Sequence, residues 1–148
     1  MFHQVYVNPK DCNALHFLWW PGNDLNSDPA EHQMLVHLLG TTSSPSCANF
    51  GLRRTADDNQ DVFSKEVIET VRRNFYVDDC LKSVRDKVKA IPLVLDLHEL
   101  LFKGGFRLTK WISNLRRVIE SLPISERAVW VKDHLLDQLP IERALGVR

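Results

Sequence analysis

Asp78 and Asp79 are adjacent acids set in an apolar run, Asn74-Phe75-Tyr76-Val77-Asp78-Asp79-Cys80-Leu81. Phe, Tyr, Val and Leu suit a pleated, half-buried surface, whereas consecutive Asp residues belong at its turn. The run therefore predicts two short strands meeting at an acidic tip. Carboxylates on a rigid hairpin tip make a seat for hard cations. Mg²⁺ takes one or two protein carboxylates plus substrate phosphates, and that is the chemistry of phosphoryl and nucleotidyl transfer. An isolated Asp-Asp pair can equally be a solvated turn, so the neighbouring elements decide.

Those elements read as a mixture of strands and helices. Met1 to Val7 alternates as a strand would, Asn8-Pro9-Lys10-Asp11 is a turn, and Asn13 to Trp19 reads as a short amphipathic helix broken at Pro21-Gly22. Gln33 to Leu39 reads as a strand. Ser44-Pro45 marks a helix start, with Ser as cap and Pro in the first turn, and that helix could run through Arg53-Arg54. Ser64 caps a second helix with Glu66 in its first turn and Val67, Ile68 and Val71 on one face, delivering the chain to the acidic hairpin.

Beyond the hairpin, Val84, Val88, Ile91 and Leu95 predict the packing face of a further helix, in which Pro92 should cause a kink or a later start at a cost of ~3 kcal/mol. Gly104-Gly105 should end that helix as a left-handed cap. Phe106 to Ile112 is a strand candidate, Asn114 to Leu122 a short helix stopped by Pro123, and Glu126 to Val131 a weak one. The expected fold class is α+β, a small antiparallel sheet with helices packed on one face.

At 148 residues the chain is about one domain long, and 44% hydrophobic with 26% charged residues is enough to bury a core. Net charge is zero, so nucleic-acid affinity must come from a local cluster. One runs through Lys103, Arg107, Lys110, Arg116 and Arg117, with no acid between Lys103 and Val118; its alternative is a solvated face. Cys12, Cys47 and Cys80 are odd in number, far apart and without Cys-x-x-Cys spacing, which indicates neither a disulfide framework nor a zinc site. They read as small buried hydrophobes in a reducing compartment. His32 and His37 lack metal-ligand spacing. No run reaches the ~18 apolar residues of a bilayer span, and Met1 is not followed by a signal-peptide pattern.

Three blocks in fixed order carry a resemblance: Ser43-Ser44-Pro45-Ser46-Cys47-Ala48-Asn49-Phe50, then Phe75-Tyr76-Val77-Asp78-Asp79-Cys80, then Gly105-Phe106-Arg107-Leu108-Thr109-Lys110-Trp111. With them the whole chain resembles the reverse-transcriptase palm of Pao/BEL-type long-terminal-repeat retrotransposons. The resemblance implies a palm with part of the fingers over 1–148, truncated at both ends. The implied activity is RNA-directed DNA polymerisation. Asp78 and Asp79 would bind Mg²⁺ or Mn²⁺, Asp78 being the better candidate for a direct ligand, and two metals would activate the primer 3′-hydroxyl and neutralise the triphosphate. Implied partners are an RNA or DNA template, a DNA primer, deoxynucleoside triphosphates and the remaining domains of the parent polyprotein, with no membrane; the implied location is cytoplasmic, in an intracellular particle.

The resemblance also assigns supporting roles. Tyr76 and Val77 would lie beside the primer terminus, the alternative for Tyr76 being a sheet aromatic. Gly40 with Ser44 and Pro45 would floor the incoming nucleotide. Leu39 stands where retroviral enzymes carry Gln, which removes a glutamine contact. Phe2 would exclude a ribose 2′-hydroxyl, or simply be core. Lys110 would approach the triphosphate, possible general acid or solvated lysine. Arg107 and Trp111 would meet primer or template, and Leu145-Gly146 would begin a primer-gripping turn. The resemblance implies the third metal-binding Asp about four residues before Met1, so Met1 reads as an internal methionine and the isolated chain is expected not to polymerise DNA. Two other classes stay open: a non-catalytic nucleic-acid-binding remnant, with Trp111 stacking on bases, and an interaction domain that keeps the fold without ligand.

Overall fold

Strand-forming side chains are clustered in short pieces, and the strands they form are correspondingly short. The structure is a computed structural model describing residues 2–128, the side chain of Phe2 excepted. Among the described residues it is a small α+β fold with four α-helices and two small antiparallel sheets. The chain divides into two compact units, Met1–Ala48 and Asn49–Arg148.

In the first unit, β1 (His16–Trp19) pairs antiparallel with β2 (Ala30–Gln33), with Phe17 opposite His32 and Leu18 opposite Glu31. The helix expected over Asn13 to Trp19 is therefore a 3₁₀ turn, Cys12–Leu15, followed by a strand. His-Phe-Leu-Trp is β-favouring material, and the cross-strand pairing overrides its helical spacing. Phe17 stacks on His32 with centroids 5.6 Å apart, and His16 Nδ1 lies 2.6 Å from Glu31 Oε1. The expected strand over Met1 to Val7 is a 3₁₀ turn at Phe2–Gln4 and a single bridge, Tyr6 to Val36. Likewise the strand expected over Gln33 to Leu39 lies earlier, at Ala30–Gln33.

The helices come next in the order the capping signals imply. These are α1 (Ser44–Asp58), α2 (Lys65–Arg73), α3 (Lys87–Lys103) and α4 (Arg116–Glu120), with β3 (Phe75–Tyr76) and β4 (Asp79–Cys80) between α2 and α3. Ser64 accepts from the Val67 amide at the start of α2, and Val67, Ile68 and Val71 are buried, as the spacing predicts, together with Thr70. Within the second unit α3 packs against α2 and α4. The core there includes Leu52 and Ala56 of α1, Val67, Ile68 and Val71 of α2, Leu93, Leu97, Leu100 and Leu101 of α3, and Val118 and Ile119 of α4.

The packing face of α3 differs from the expected one. Val88 is 80% exposed and Leu95 43%, while Leu93, Leu97, Leu100 and Leu101 are buried. Both stripes have helical spacing, and the leucine stripe wins because it offers four large side chains near the C-terminal half, where Phe106 folds back. The helix begins at Lys87, after Val84, so it starts later than the periodicity suggests, as expected, yet it runs on through Pro92. Pro92 is the sixth residue, so the bond its missing amide gives up is the one to the Val88 carbonyl in the first turn, which Asp86 caps by accepting from the Val88 amide.

The C-terminus of α3 is a Schellman motif. The Phe106 amide donates to Leu101 O at 2.9 Å and the Gly105 amide to Phe102 O at 3.0 Å, with Gly105 at φ +79°. Gly105 thus supplies the left-handed residue, and Gly104 (φ −86°) is the C-cap. The expected strand over Phe106 to Ile112 is instead a loop, with one parallel bridge from Trp111 to Arg127. Among the described residues no partner strand is alongside to complete a ladder. The helix expected over Asn114 to Leu122 forms only as Arg116–Glu120; of the helix expected over Glu126 to Val131, Glu126 ends a 3₁₀ turn, Ile124–Glu126, and the part from 129 on lies outside the described residues. The single sheet with helices on one face is thus replaced by two separate two-stranded ribbons. Among the described residues no helix is long and apolar enough to cross a membrane.

Candidate functional site

The run forms a hairpin, as its residues predict, but only Asp78 of the two acids sits on the turn; Asp79, expected there too, is the first residue of β4, because Val77 takes the other turn position. Phe75 pairs with Cys80 and Tyr76 with Asp79, which leaves Val77 and Asp78 as a two-residue turn. Val77 has φ +55° while Asp78 does not have positive φ, the pattern of a type II′ turn. That position normally belongs to glycine; a β-branched residue there is strained, and strain of this kind gathers at functional sites. The alternation of the strands turns Phe75 and Cys80 inward and Tyr76 and Asp79 outward. Burial pushes the Cys80 thiol up to about 11, against the opposing pull of nearby Lys82.

Asp78 and Asp79 are both exposed, and among the described residues neither carboxylate has a hydrogen-bond or ion-pair partner. Other acids of the second unit are already engaged: Asp57 with Arg72 at 2.6 Å, Asp58 with Arg54 at 2.8 Å, and Glu69 with Arg73 at 2.7 Å. Among the described residues no group of three or more His, Cys, Asp and Glu side chains is gathered to hold a metal. Two adjacent, unengaged carboxylates nonetheless suit a hydrated Mg²⁺ or Mn²⁺, since such ions keep several waters and take one or two protein carboxylates.

What fixes the hairpin is Asn74, a residue the sequence reading does not single out. Its amide closes α2 on Thr70 O at 2.9 Å, its carbonyl accepts from the Leu81 amide at 3.0 Å, and its Nδ2 donates to Leu81 O at 2.7 Å. An Asn at a helix-to-strand junction is the available signal, because its short amide side chain bonds backbone groups. Lys82 lies 3.8 Å from Glu66.

The nucleotide-floor residues form a second grouping, in the first unit. Gly40 has φ +92°, and four residues later α1 begins with Ser44 buried and Pro45 in the first turn. The Ser44 hydroxyl does not cap a helix N–H. Thr41 gives its proton to Leu38 O at 2.8 Å, so Ser44 donates to Thr41 Oγ1 at 2.6 Å, with His37 Nδ1 3.3 Å away. Phe2 lies in the 3₁₀ turn Phe2–Gln4. An open apolar hollow of about 340 Å³, lined by Leu15, Phe17, Met34 and Leu38 among others, holds none of the expected site residues.

A third grouping lies on the loop after α3. Lys110 is exposed at φ +60°, so two of the three non-glycine residues at positive φ among the described ones, Val77 and Lys110, are expected site residues. Trp111 packs against Ile119 and Ala128, with its Nε1 buried and, among the described residues, without a hydrogen-bond partner. Arg107 Nε is 3.5 Å from buried Glu126, Lys103 is 3.8 Å from Glu99 and Arg116 2.7 Å from Glu120. The basic run is thus partly neutralised by acids that lie outside it in sequence. Among the described residues Lys110 and Arg117 keep no ion-pair partner. Leu145 and Gly146 lie outside the described residues.

No protein-family model matches the chain, and neither a curated protein nor a solved structure does.

Proposed function

We propose that the chain is part of a retrotransposon-type RNA-directed DNA polymerase, in which Asp78 and Asp79 contribute carboxylates to a divalent-metal site for nucleotidyl transfer. One observation carries the reading: two exposed, unengaged carboxylates beside a left-handed Val77 at the tip of a pinned hairpin. Acids serving only as a solvated turn have no need of a strained valine. Glycine would do the same at no cost.

In this reading a bound Mg²⁺ or Mn²⁺ supplies activation of a primer 3′-hydroxyl and neutralisation of triphosphate charge. Asp78 and Asp79 hold the ion and fix its position. Tyr76, sharing the exposed face with Asp79, lies beside the primer terminus. Lys110 offers a cation to the triphosphate. Leu145 and Gly146 grip the primer. Ion pairing of Lys103, Arg107 and Arg116 weighs against a free-standing nucleic-acid binder.

The test is an Mg²⁺ titration followed at backbone amides, repeated with dTTP. Shifts should begin at Val77, Asp78 and Asp79 and grow when nucleotide is added, and Asp78→Asn should remove them. A hairpin silent to Mg²⁺ with and without dTTP overturns the reading.

A further inference from the structure

We propose that Asn74 is the positioning residue of the carboxylate tip, an inference that rests on the metal-site reading above for its functional half. The strands on either side of the tip have two residues each, and so short a ribbon is not stable by itself. Its turn also carries the left-handed Val77, which opposes closure. Whatever holds the tip in place must act from the base of the hairpin. Asn74 does so with two bonds to one residue: its carbonyl takes the Leu81 amide and its Nδ2 gives to the Leu81 carbonyl. Both backbone groups of Leu81 are satisfied by this single residue.

The consequence is a fixed register. With Leu81 tied to Asn74, Cys80 must face Phe75 and Asp79 must face Tyr76. A slip of one residue would turn Asp79 to the inner face, where Cys80 now sits, and Cys80 outward. Asn74 is in turn held by its own amide on Thr70 O, and the last turn of α2 is anchored by buried Thr70 and Val71. The placement of the carboxylates is therefore relayed from the core through one asparagine. The Lys82 to Glu66 contact, 3.8 Å long and partly exposed, adds little.

The experiment compares the full chain with Asn74→Asp, which keeps the side-chain size but sets an acceptor against Leu81 O, and with Asn74→Ala; Lys82→Ala is the control. Three readouts are followed: amide exchange at Leu81, the HN–Hα coupling of Val77, which reports its φ, and the Mn²⁺ concentration that half-broadens the Asp78 and Asp79 amides. Loss of the bond should speed Leu81 exchange by about tenfold, move the Val77 coupling and raise the Mn²⁺ requirement several-fold, with exchange at Leu97 unchanged. Unchanged Leu81 exchange and Val77 coupling overturn the proposal, as does a loosened hairpin with unaltered Mn²⁺ response. A wild-type hairpin that ignores Mn²⁺ sinks the metal-site reading alone, and the first two readouts then decide whether Asn74 positions the tip. Should neither variant fold, the wild-type Asn74 amide protons decide: one should be protected from exchange, and two equally fast protons overturn the proposal.

Discussion

Tyr76 faces Asp79 directly across β3 and β4, which puts the phenol and the carboxylate on one exposed surface and leaves Val77 alone to make the left-handed bend between them. Val77→Gly should relieve strain of order 1–3 kcal/mol while giving up the contact of a half-buried side chain, about 1 kcal/mol. Hairpin opening, read from exchange at the Leu81 amide, should become no easier. A loss of more than about 1 kcal/mol contradicts a positive φ at Val77.

Helix α3 offers two apolar stripes, and only one bears weight. Leu100→Ala should cost about 2–5 kcal/mol in urea unfolding because Leu100 is fully buried. Val88→Ala should change stability by less than about 0.5 kcal/mol, since Val88 stands in solvent. The reverse order of costs would restore the face that the Val84-Val88-Ile91-Leu95 spacing implies.

Glu126 is a buried carboxylate with His98 Nε2 at 2.9 Å and Arg107 Nε at 3.5 Å. The His98 contact is close but off the hydrogen-bonding direction, leaving Glu126 Oε2 without a bond. Removing one partner from a fully buried pair costs 3–5 kcal/mol; with His98 half-buried and Arg107 largely exposed, Glu126→Ala should cost about 1–3 kcal/mol. Arg116→Ala, which breaks an exposed pair with Glu120, should cost under about 0.5 kcal/mol.

Cys80 gives stability a pH dependence on the alkaline side. Burial raises its thiol from the ordinary 9.0 to about 11, so between those values the unfolded chain releases a proton that the folded chain keeps. Its contribution is complete below pH 9 and lost as pH climbs through 11. Cys80→Ala should flatten the fall in unfolding free energy over that window, and a slope unchanged by the substitution would show that Cys80 is not its source.

Local chemistry made part of this fold legible. Ser64, Glu66 and the Val67-Ile68-Val71 face define α2, and the aromatic run ending in two acids defines the hairpin, because caps, turns and short-range periodicity act within a few residues. Pairing between distant segments was not legible. His16 to Trp19 has helical spacing yet becomes a strand once Ala30 to Gln33 lies beside it, and Phe106 to Ile112 has strand composition but, among the described residues, only the single Trp111 to Arg127 bridge. On α3 two stripes of equal period compete, and only the packed core distinguishes them. At the candidate site the carboxylates were readable as residue types. The strain at Val77 and Lys110 and the two bonds from Asn74 belong to backbone geometry, which no residue pattern specifies.

The central claim is that Asp78 and Asp79 together seat a divalent ion, and paramagnetic broadening by Mn²⁺ tests it most directly because the effect falls steeply with distance from the ion. The account predicts that the amides of Asp78 and Asp79 broaden first, and that Asp78→Asn and Asp79→Asn each abolish this while leaving the spectrum of α2 and α3 intact. Broadening that begins instead around Asp57, Asp58 and Glu69, or that persists at the hairpin in both variants, would contradict it.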